Sequence, residues 1–384
     1  MNVRLFEPLE LRSMTLSNRI VVEPMTQFSA PDGTAGDWHF VHLGQFANSG
    51  AAMVLTESTY VDAEARNSPL CLSLYNDQQE AAVSKIAEFY HVHGTAKFGC
   101  QLCHGGRKAS ARLPWEGGGP LPIEEGGFRA VAPSAIAVRN HWPAPKALEV
   151  NEIKNIIDMF ARSAERAVRA GLDVIELHGA HGYLIHSFLS PITNRRIDAY
   201  GGSLENRMRF GLEVFEAVRA VWPGDKPIGY RVSATDWIDG GWTVEETVSF
   251  AKQLDAMGCD FIDVSSGGLD PRQNIETGPG YQTAFAAAVK AAVKMKVVTV
   301  GQITSAHQAE SILRGGQADM IGVARIMLFN PHWPWHAANE LGVDIPYPHQ
   351  YERANPKRWS SSAVSSPGNE VEGHSAPKTG TSSA

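Results

Sequence analysis

The stretch Val297-Val298-Thr299-Val300-Gly301-Gln302, followed by Met320-Ile321-Gly322-Val323-Ala324-Arg325, decides how this chain folds. Each half is a short apolar run rich in β-branched residues that ends on small or polar groups. Between them, Ser305 to Leu313 has helical spacing and stops before Gly315-Gly316. Glycine tolerates positive φ and is a common helix stop. The unit is therefore strand, helix, strand.

Working outward, the same unit recurs. Runs at Arg19 to Val22, Ala52 to Thr56, Lys97 to Leu102 and Val174 to Leu177 read as strands, as do Ile228 to Val232 and Phe261 to Val264. Most are almost continuously apolar, the pattern of parallel strands covered on both faces. Helical patterns fill the gaps. Asn151 to Ala170 places Ile153, Ile156, Ile157 and Phe160 on one face and ends at Gly171, and Val244 to Met257 ends at Gly258. Eight strands alternating with helices predict a single (β/α)8 TIM barrel, an α/β fold. Pattern alone also admits a doubly wound sheet, but no G-x-G-x-x-G follows an early strand.

The expected barrel domain spans residues 1–359. Gly105 to Leu148 is long and rich in Gly and Pro, and predicts a loop or hairpin excursion over the C-terminal mouth, about residues 105–148. Residues 360–384 are mostly Ser, Gly, Pro, Thr and Ala, and read as a disordered tail.

The chain has 384 residues, 43% of them hydrophobic, enough for a large core. Its net charge is −7, with acids and bases mixed along the chain and no basic stripe, which argues against nucleic-acid binding. No apolar run is long enough to span a membrane, and Met1 to Arg12 lacks the features of a secretory signal. Four cysteines do not make a disulfide framework, so a cytoplasmic location is expected.

In this fold the chemistry sits where strands end at the C-terminal rim. The first strand leads into Glu23-Pro24-Met25-Thr26-Gln27-Phe28. The second delivers Glu57-Ser58, and the third Gln101, with His104 and Arg107 beyond. The fourth delivers His178, His181 and Tyr183, and the fifth Arg231. The sixth leads into Ser265-Ser266-Gly267-Gly268. Gly301, Ala324 and Arg325 follow the last two strands, the recurrent phosphate site of this fold. Glycine lets backbone N–H groups approach an anion, and arginine pairs bidentately with phosphate. The competing reading of Arg325 is a structural ion pair.

The cluster H-G-A-H-G-Y, His178 to Tyr183, joins two imidazoles that can hold a carbonyl or phenolate oxygen to a phenol that can supply a proton. The alternatives are satisfied core histidines or a metal pair. A metal site finds little support. His91-Val92-His93 precedes the third strand, and so belongs to the opposite rim. Cys100-Gln101-Leu102-Cys103 has no second pair at zinc-site spacing and reads as packing.

These segments resemble the Old Yellow Enzyme family of FMN-dependent ene-reductases. They are N-R-I-V-V-E-P-M at Asn18 to Met25, Q-L-C-H-G-G-R-K-A at Gln101 to Ala109, E-L-H-G-A-H-G-Y-L at Glu176 to Leu184, Y-G-G-S-L-E-N-R at Tyr200 to Arg207 and G-V-A-R at Gly322 to Arg325. The likeness runs from Leu5 to about Arg353 and is greatest to the compact bacterial branch often called thermophilic-like.

The resemblance implies roles. Glu23, Pro24, Met25, Thr26, Ser58 and Gln101 would line the isoalloxazine, and Arg231 would sit near its N1 and C2=O. Gly301, Ala324 and Arg325 would hold the phosphate of FMN. His178 and His181 would hold the substrate carbonyl, and Tyr183 would donate the proton. NADPH or NADH would reduce the FMN, and an activated alkene would be the second substrate. Gln350-Tyr351-Glu352-Arg353 resembles a segment that enters the neighbouring subunit's site, so Arg353 would reach the partner's substrate in a homodimer or homotetramer. Two residues depart from the branch, which usually has Cys at Thr26 and Tyr at Phe28. The first bears on flavin potential and the second, a substrate-pocket position, on substrate choice.

Three other readings compete. One is a flavin reductase acting mainly on nitro compounds or quinones. Another is a barrel lyase or hydrolase using a metal or Schiff base, which needs a ligand set or a strand-end lysine not found here. The third is a flavin-binding protein without rapid turnover. An iron–sulfur cluster of the kind some larger family members carry is not expected in a chain with only four cysteines.

Overall fold

A computed structural model describes residues 2–358. It divides into two compact units, which part between Pro346 and Tyr347. The expectation of a disordered tail over residues 360–384 lies outside the described residues.

The first unit is built on a closed barrel of eight strands in chain order. They are β1 (Ile20–Val22), β2 (Met53–Tyr60), β3 (Lys97–Cys103), β4 (Val174–Gly179), β5 (Ile228–Ser233), β6 (Phe261–Ser265), β7 (Lys296–Thr299) and β8 (Met320–Val323). Every neighbouring pair is parallel, and β8 pairs with β1 to close the ring. Helices stand between successive strands, as in a (β/α)8 barrel.

Period-two alternation sorts each strand's side chains between the lumen and the helices. At the N-terminal end the lumen is filled by Val21, Met53, Leu55, Val174, Phe261, Val298 and Met320. Gly229 makes room for the Phe261 ring, which a Cβ at that position would meet at 2.0 Å. An antiparallel hairpin, Leu9–Leu11 with Met14–Leu16, adds its apolar side chains to this plug. Two residues further along the strands the lumen turns polar, with Glu23, Glu176, Arg231 and Asp263, all buried. Outward-facing residues such as Phe98, Leu177, Tyr230 and Ile262 pack against the helices in the main core. The helix Val150–Arg169 shows why: Ile153, Ile156, Ile157, Phe160, Ala164 and Ala167 form one buried stripe.

The observed strands agree with the sequence expectation in number and order, and differ at their ends. β2 runs on to Tyr60, with a register shift between Leu55 and Ser58. β4 runs to Gly179, so His178 lies on the strand itself. The strand expected at Val297 to Val300 lies one residue earlier, since β7 covers Lys296–Thr299 and leaves Val300 beyond it. Gly171 and Gly258 take φ of +82° and +86° just past their helices, as helix stops do.

The stretch 105–148 contains three short 3-10 turns and a two-residue pairing of Val131–Ala132 with Lys146–Ala147. That pairing is parallel, so these strands form no hairpin. The excursion is tied down by Arg107, whose buried guanidinium donates to Ala137 O at 2.9 Å and to Leu269 O at 2.5 Å. Trp115, carried by the excursion, meets the Phe28 ring edge-on at 5.7 Å between centroids. In the second unit, His349–Ala354 and Pro356–Arg358 are 3-10 turns, and Arg353 lies on the first.

Candidate active site

β4 and the turn after it carry His178, His181 and Tyr183. His178 is on the strand and faces the lumen beside Arg231, its register partner on β5. The chain then turns sharply, with φ of +58° at His181 and +75° at Gly182, and Tyr183 caps the helix Leu184–Leu189. This brings the three rings together: centroids lie 5.2 Å apart for His178 and His181, and 4.9 Å for His178 and Tyr183.

The turn is held from several sides. Ser233 Oγ accepts the His181 N–H at 2.9 Å, and Lys108 Nζ donates to His181 O at 2.6 Å and also to Gly268 O. His186 Nδ1 accepts the Gly182 N–H at 2.9 Å. Since a backbone nitrogen only donates, that Nδ1 carries no proton, and the proton of a neutral ring is on Nε2. His186 Nε2 lies 2.9 Å from Asp236 Oδ1, with both side chains fully buried.

Burial, with Arg231 beside them, pushes both His178 and His181 well below the usual histidine range, so both rings are neutral at pH 7. His181 Nε2 is 2.7 Å from Ser265 Oγ. His178 Nδ1 is buried with no hydrogen-bond partner in the protein. Burial raises the Tyr183 phenol above its ordinary value, so it keeps its proton at neutral pH. Burial, with Arg107 and Arg139 nearby, pushes the Lys108 ammonium down to about 8.

On the opposite side of the mouth, a cavity of about 530 Å³ is lined by Arg231, Tyr281, Gly301, Gly322, Ala324 and Arg325, among others. The glycine that follows β7 by two residues, Gly301, has φ of +129°, and a Cβ there would crowd Gln282 and Tyr281. Arg325 is exposed, and among the described residues it makes no ion pair. An unpaired guanidinium beside bare backbone in a cavity of this size fits a phosphate group. The unpartnered buried nitrogen of His178, a donor or an acceptor according to tautomer, and this cradle fit a flavin with a phosphate and a ligand beside it.

Between these two regions lie the remaining residues expected at the site. Ser58 Oγ donates to Gln101 Oε1 at 2.9 Å, and Gln101 Nε2 donates to Glu176 Oε1 at 2.7 Å. Pro24, Met25, Thr26 and Phe28 are half-buried in the loop after β1. Glu57 fixes that loop, since its Oε2 accepts the Gln27 N–H at 3.1 Å and its Oε1 sits 3.0 Å from His39 Nε2. Glu23 does not share the loop's position. Its side chain turns into the barrel, 1% exposed, and reaches Arg231 at 2.7 Å.

Several residues of the site went unread in the sequence. Glu176 and Asp263 are acids inside otherwise apolar strands, V-I-E-L-H-G and F-I-D-V-S, and that anomaly was a legible signal. Tyr281 and Gln282 follow Gly278-Pro279-Gly280, a turn without periodicity. Gln282 accepts from Ser266 Oγ at 2.6 Å and donates to Val300 O at 2.9 Å, which fixes one wall of the cavity. The cysteines of Cys100-x-x-Cys103 are free and buried, consistent with packing. Among the described residues no group of three or more His, Cys, Asp or Glu is placed to hold a metal ion. No helix among them is long and apolar enough to cross a membrane.

Residues 4–343 match the NADH:flavin oxidoreductase / NADH oxidase family. An NADPH dehydrogenase of Geobacillus sp. (strain WCH70) is 42% identical over 355 residues, covering 92% of this chain and 99% of the relative. An NADH:flavin oxidoreductase of Gibberella zeae is 41% identical over 377 residues, covering 94% and 89%. Among solved structures, morphinone reductase in complex with tetrahydroNAD superposes with a TM-score of 0.74 at 29% identity, covering 90% of this chain and 93% of that one.

Proposed function

Because the chain belongs to the NADH:flavin oxidoreductase / NADH oxidase family, flavin enzymes of the Old Yellow Enzyme type that use FMN and a nicotinamide reductant, we propose that it reduces activated C=C bonds. The substrates are α,β-unsaturated carbonyls, maleimides and nitroalkenes. The observation that carries this reading is the meeting of two neutral imidazoles and a protonated phenol at one strand end, across the mouth from a phosphate cradle.

FMN, when bound, supplies hydride to the substrate's β-carbon. The chain's own residues do the rest. His178 and His181 hold the substrate's carbonyl or nitro oxygen by N–H donation. Because both rings are neutral, each donates through one tautomer, and the Ser265 contact occupies one nitrogen of His181. Their donation draws electrons from the double bond and makes its β-carbon electrophilic. Tyr183 O–H donates the proton to the α-carbon. Gly301, Ala324 and Arg325 would hold the phosphate of FMN, and Arg231, which lines the same cavity, would sit near the flavin ring.

Glu23, Pro24, Met25, Thr26, Ser58 and Gln101 would line the isoalloxazine. Phe28 and Trp115 wall the substrate side. Arg353 completes a neighbouring subunit's pocket in a homodimer or homotetramer, and the enzyme works in the cytoplasm.

The test is product analysis. With NADPH and 2-cyclohexenone the protein yields cyclohexanone, one equivalent per NADPH consumed. NADPH consumption with quinones or nitroaromatics but no cyclohexanone would leave a flavin reductase and remove the double-bond chemistry.

A further inference from the structure

Beneath the cavity, three carboxyls surround one guanidinium. Glu23 comes from the end of β1, Glu176 from β4 and Asp263 from β6. Arg231, from β5, lies 2.7 Å from Glu23 Oε2 through Nη1 and 2.8 Å from Asp263 Oδ2 through Nε. Exposure is 1% for Glu23, 1% for Glu176, 0% for Asp263 and 8% for Arg231. Among the described residues Arg231 is the one cation in ion-pair contact with any of the three. The other titratable or polar groups facing the set are Gln101 on β3, His178 on β4 and Tyr281 on the loop before β7. His178 is neutral, and none of them supplies a balancing charge.

Fully ionised, three carboxylates and one guanidinium leave a net charge of −2 in the barrel lumen. Buried charge without a partner is strongly disfavoured, and the usual resolution is protonation. The hydrogen-bond pattern points the same way. Both oxygens of Glu23 and both of Asp263 lack a hydrogen-bond donor, because Arg231 approaches at ion-pair distance but with poor alignment. A buried acceptor needs a donor. Within reach of these four oxygens, the donor that heavy atoms do not reveal is a proton on a carboxyl.

Local packing selects its position. Asp263 has the Arg231 Nε contact and is in hydrogen-bonding contact with Glu23. Glu23 lies against the bare Cα of Gly322, where any Cβ would come within 2.2 Å of Glu23 Oε1. That gap lets the longer carboxyl turn into the lumen toward Asp263. Burial raises all three acids above their ordinary values, and Glu176 is pushed up to about 8.

We propose that at neutral pH Glu23 is a protonated acid donating its hydrogen to the Asp263 carboxylate, and that Glu176 also carries a proton, so the set with Arg231 is electrically neutral. Two acids, one carboxylate and one guanidinium then sum to zero. The floor of the cavity holds two exchangeable protons, and their loss in alkali would set negative charge against an anionic cofactor.

The experiment is infrared absorbance of the holoprotein at pH 7, in H₂O and in D₂O. Ordinary carboxyls are ionised at that pH, so a carbonyl stretch of the protonated acid reports buried acids. The expected result is such a band, displaced in D₂O and diminished in Glu23→Gln. In Asp263→Asn the carboxylate that balances Arg231 is gone, so Glu23, 2.7 Å from Arg231, ionises in its place and its contribution to the band is lost. Absence of the band in the natural protein, or a band that neither variant alters, overturns the proposal. If Glu23→Gln does not fold, the natural protein and Asp263→Asn still decide the question. No substrate is involved, so this outcome is separate from that of double-bond reduction.

Discussion

The His178 ring stands against Tyr183 with centroids 4.9 Å apart, so that one strand end brings an imidazole and a phenol together. Their separate roles can be told apart by half-reaction. Tyr183→Phe keeps the ring and loses the proton. Reduction of the enzyme by NADPH is expected to change little, while alkene reduction slows by roughly 10²-fold or more, the usual range of general-acid assistance. Stopped-flow measurement of the two half-reactions checks this. Equal slowing of both would remove Tyr183 as the proton donor.

The histidine pair can be tested without turnover. Phenols that bind over an oxidised flavin give a long-wavelength charge-transfer band. Replacing both His178 and His181 by Ala is expected to abolish that band at phenol concentrations that saturate the natural enzyme. A band of unchanged affinity would mean that the two rings do not hold the ligand oxygen.

His186 acts at one remove. It accepts the N–H of Gly182, the residue between His181 and Tyr183. His186→Leu leaves that buried donor unpaired, at a cost of about 1–3 kcal/mol. Urea unfolding is expected to show this loss, with weaker phenol binding alongside. His186→Asn, which can restore an acceptor, is expected to recover part of both.

Arg325 should matter for the cofactor more than for stability, being exposed and unpaired among the described residues. A charge-assisted hydrogen bond contributes about 1.5–3 kcal/mol. Arg325→Met is therefore expected to raise the FMN dissociation constant by roughly ten- to a hundredfold. Fluorescence titration of the apoprotein measures it, and an unchanged constant would place the phosphate elsewhere.

The buried acids set a direction for stability against pH. Burial, with Asp263 nearby, raises Glu176 from its ordinary 4.5 to about 8. The folded state then binds more protons than the unfolded chain between those values. Its contribution to stability is complete below about 4.5 and is lost as pH rises through about 8. The melting temperature should carry a downward component across that window, and Glu176→Gln should flatten it. An equal slope in the variant would mean that Glu176 ionises normally.

The fold was legible because its signal is local and repeated. Short apolar strands such as Met320–Val323 and glycine stops such as Gly258 each carry their meaning within a few residues. The meeting of the His178, His181 and Tyr183 rings was equally legible, since the three lie within six residues of chain. What escaped were relationships across the barrel. Glu23 sits next to Met25 and Thr26 in sequence, but its side chain joins Arg231 and Asp263, a choice made by the bare Cα of Gly322 far along the chain. Lys108 was visible inside Q-L-C-H-G-G-R-K-A, yet its bond to His181 O depends on how the excursion folds back. Strand ends moved by a few residues because hydrogen-bond pairing, including the register shift in β2, decides them rather than apolar composition.

The most direct measurement is an anaerobic absorbance spectrum of the purified protein, taken before and after NADPH and again after 2-cyclohexenone. A flavin ene-reductase is yellow, bleaches with NADPH and regains its colour with the enone. A protein that bleaches and stays bleached contradicts double-bond reduction, and a colourless protein that FMN cannot reconstitute contradicts the cofactor assignment itself.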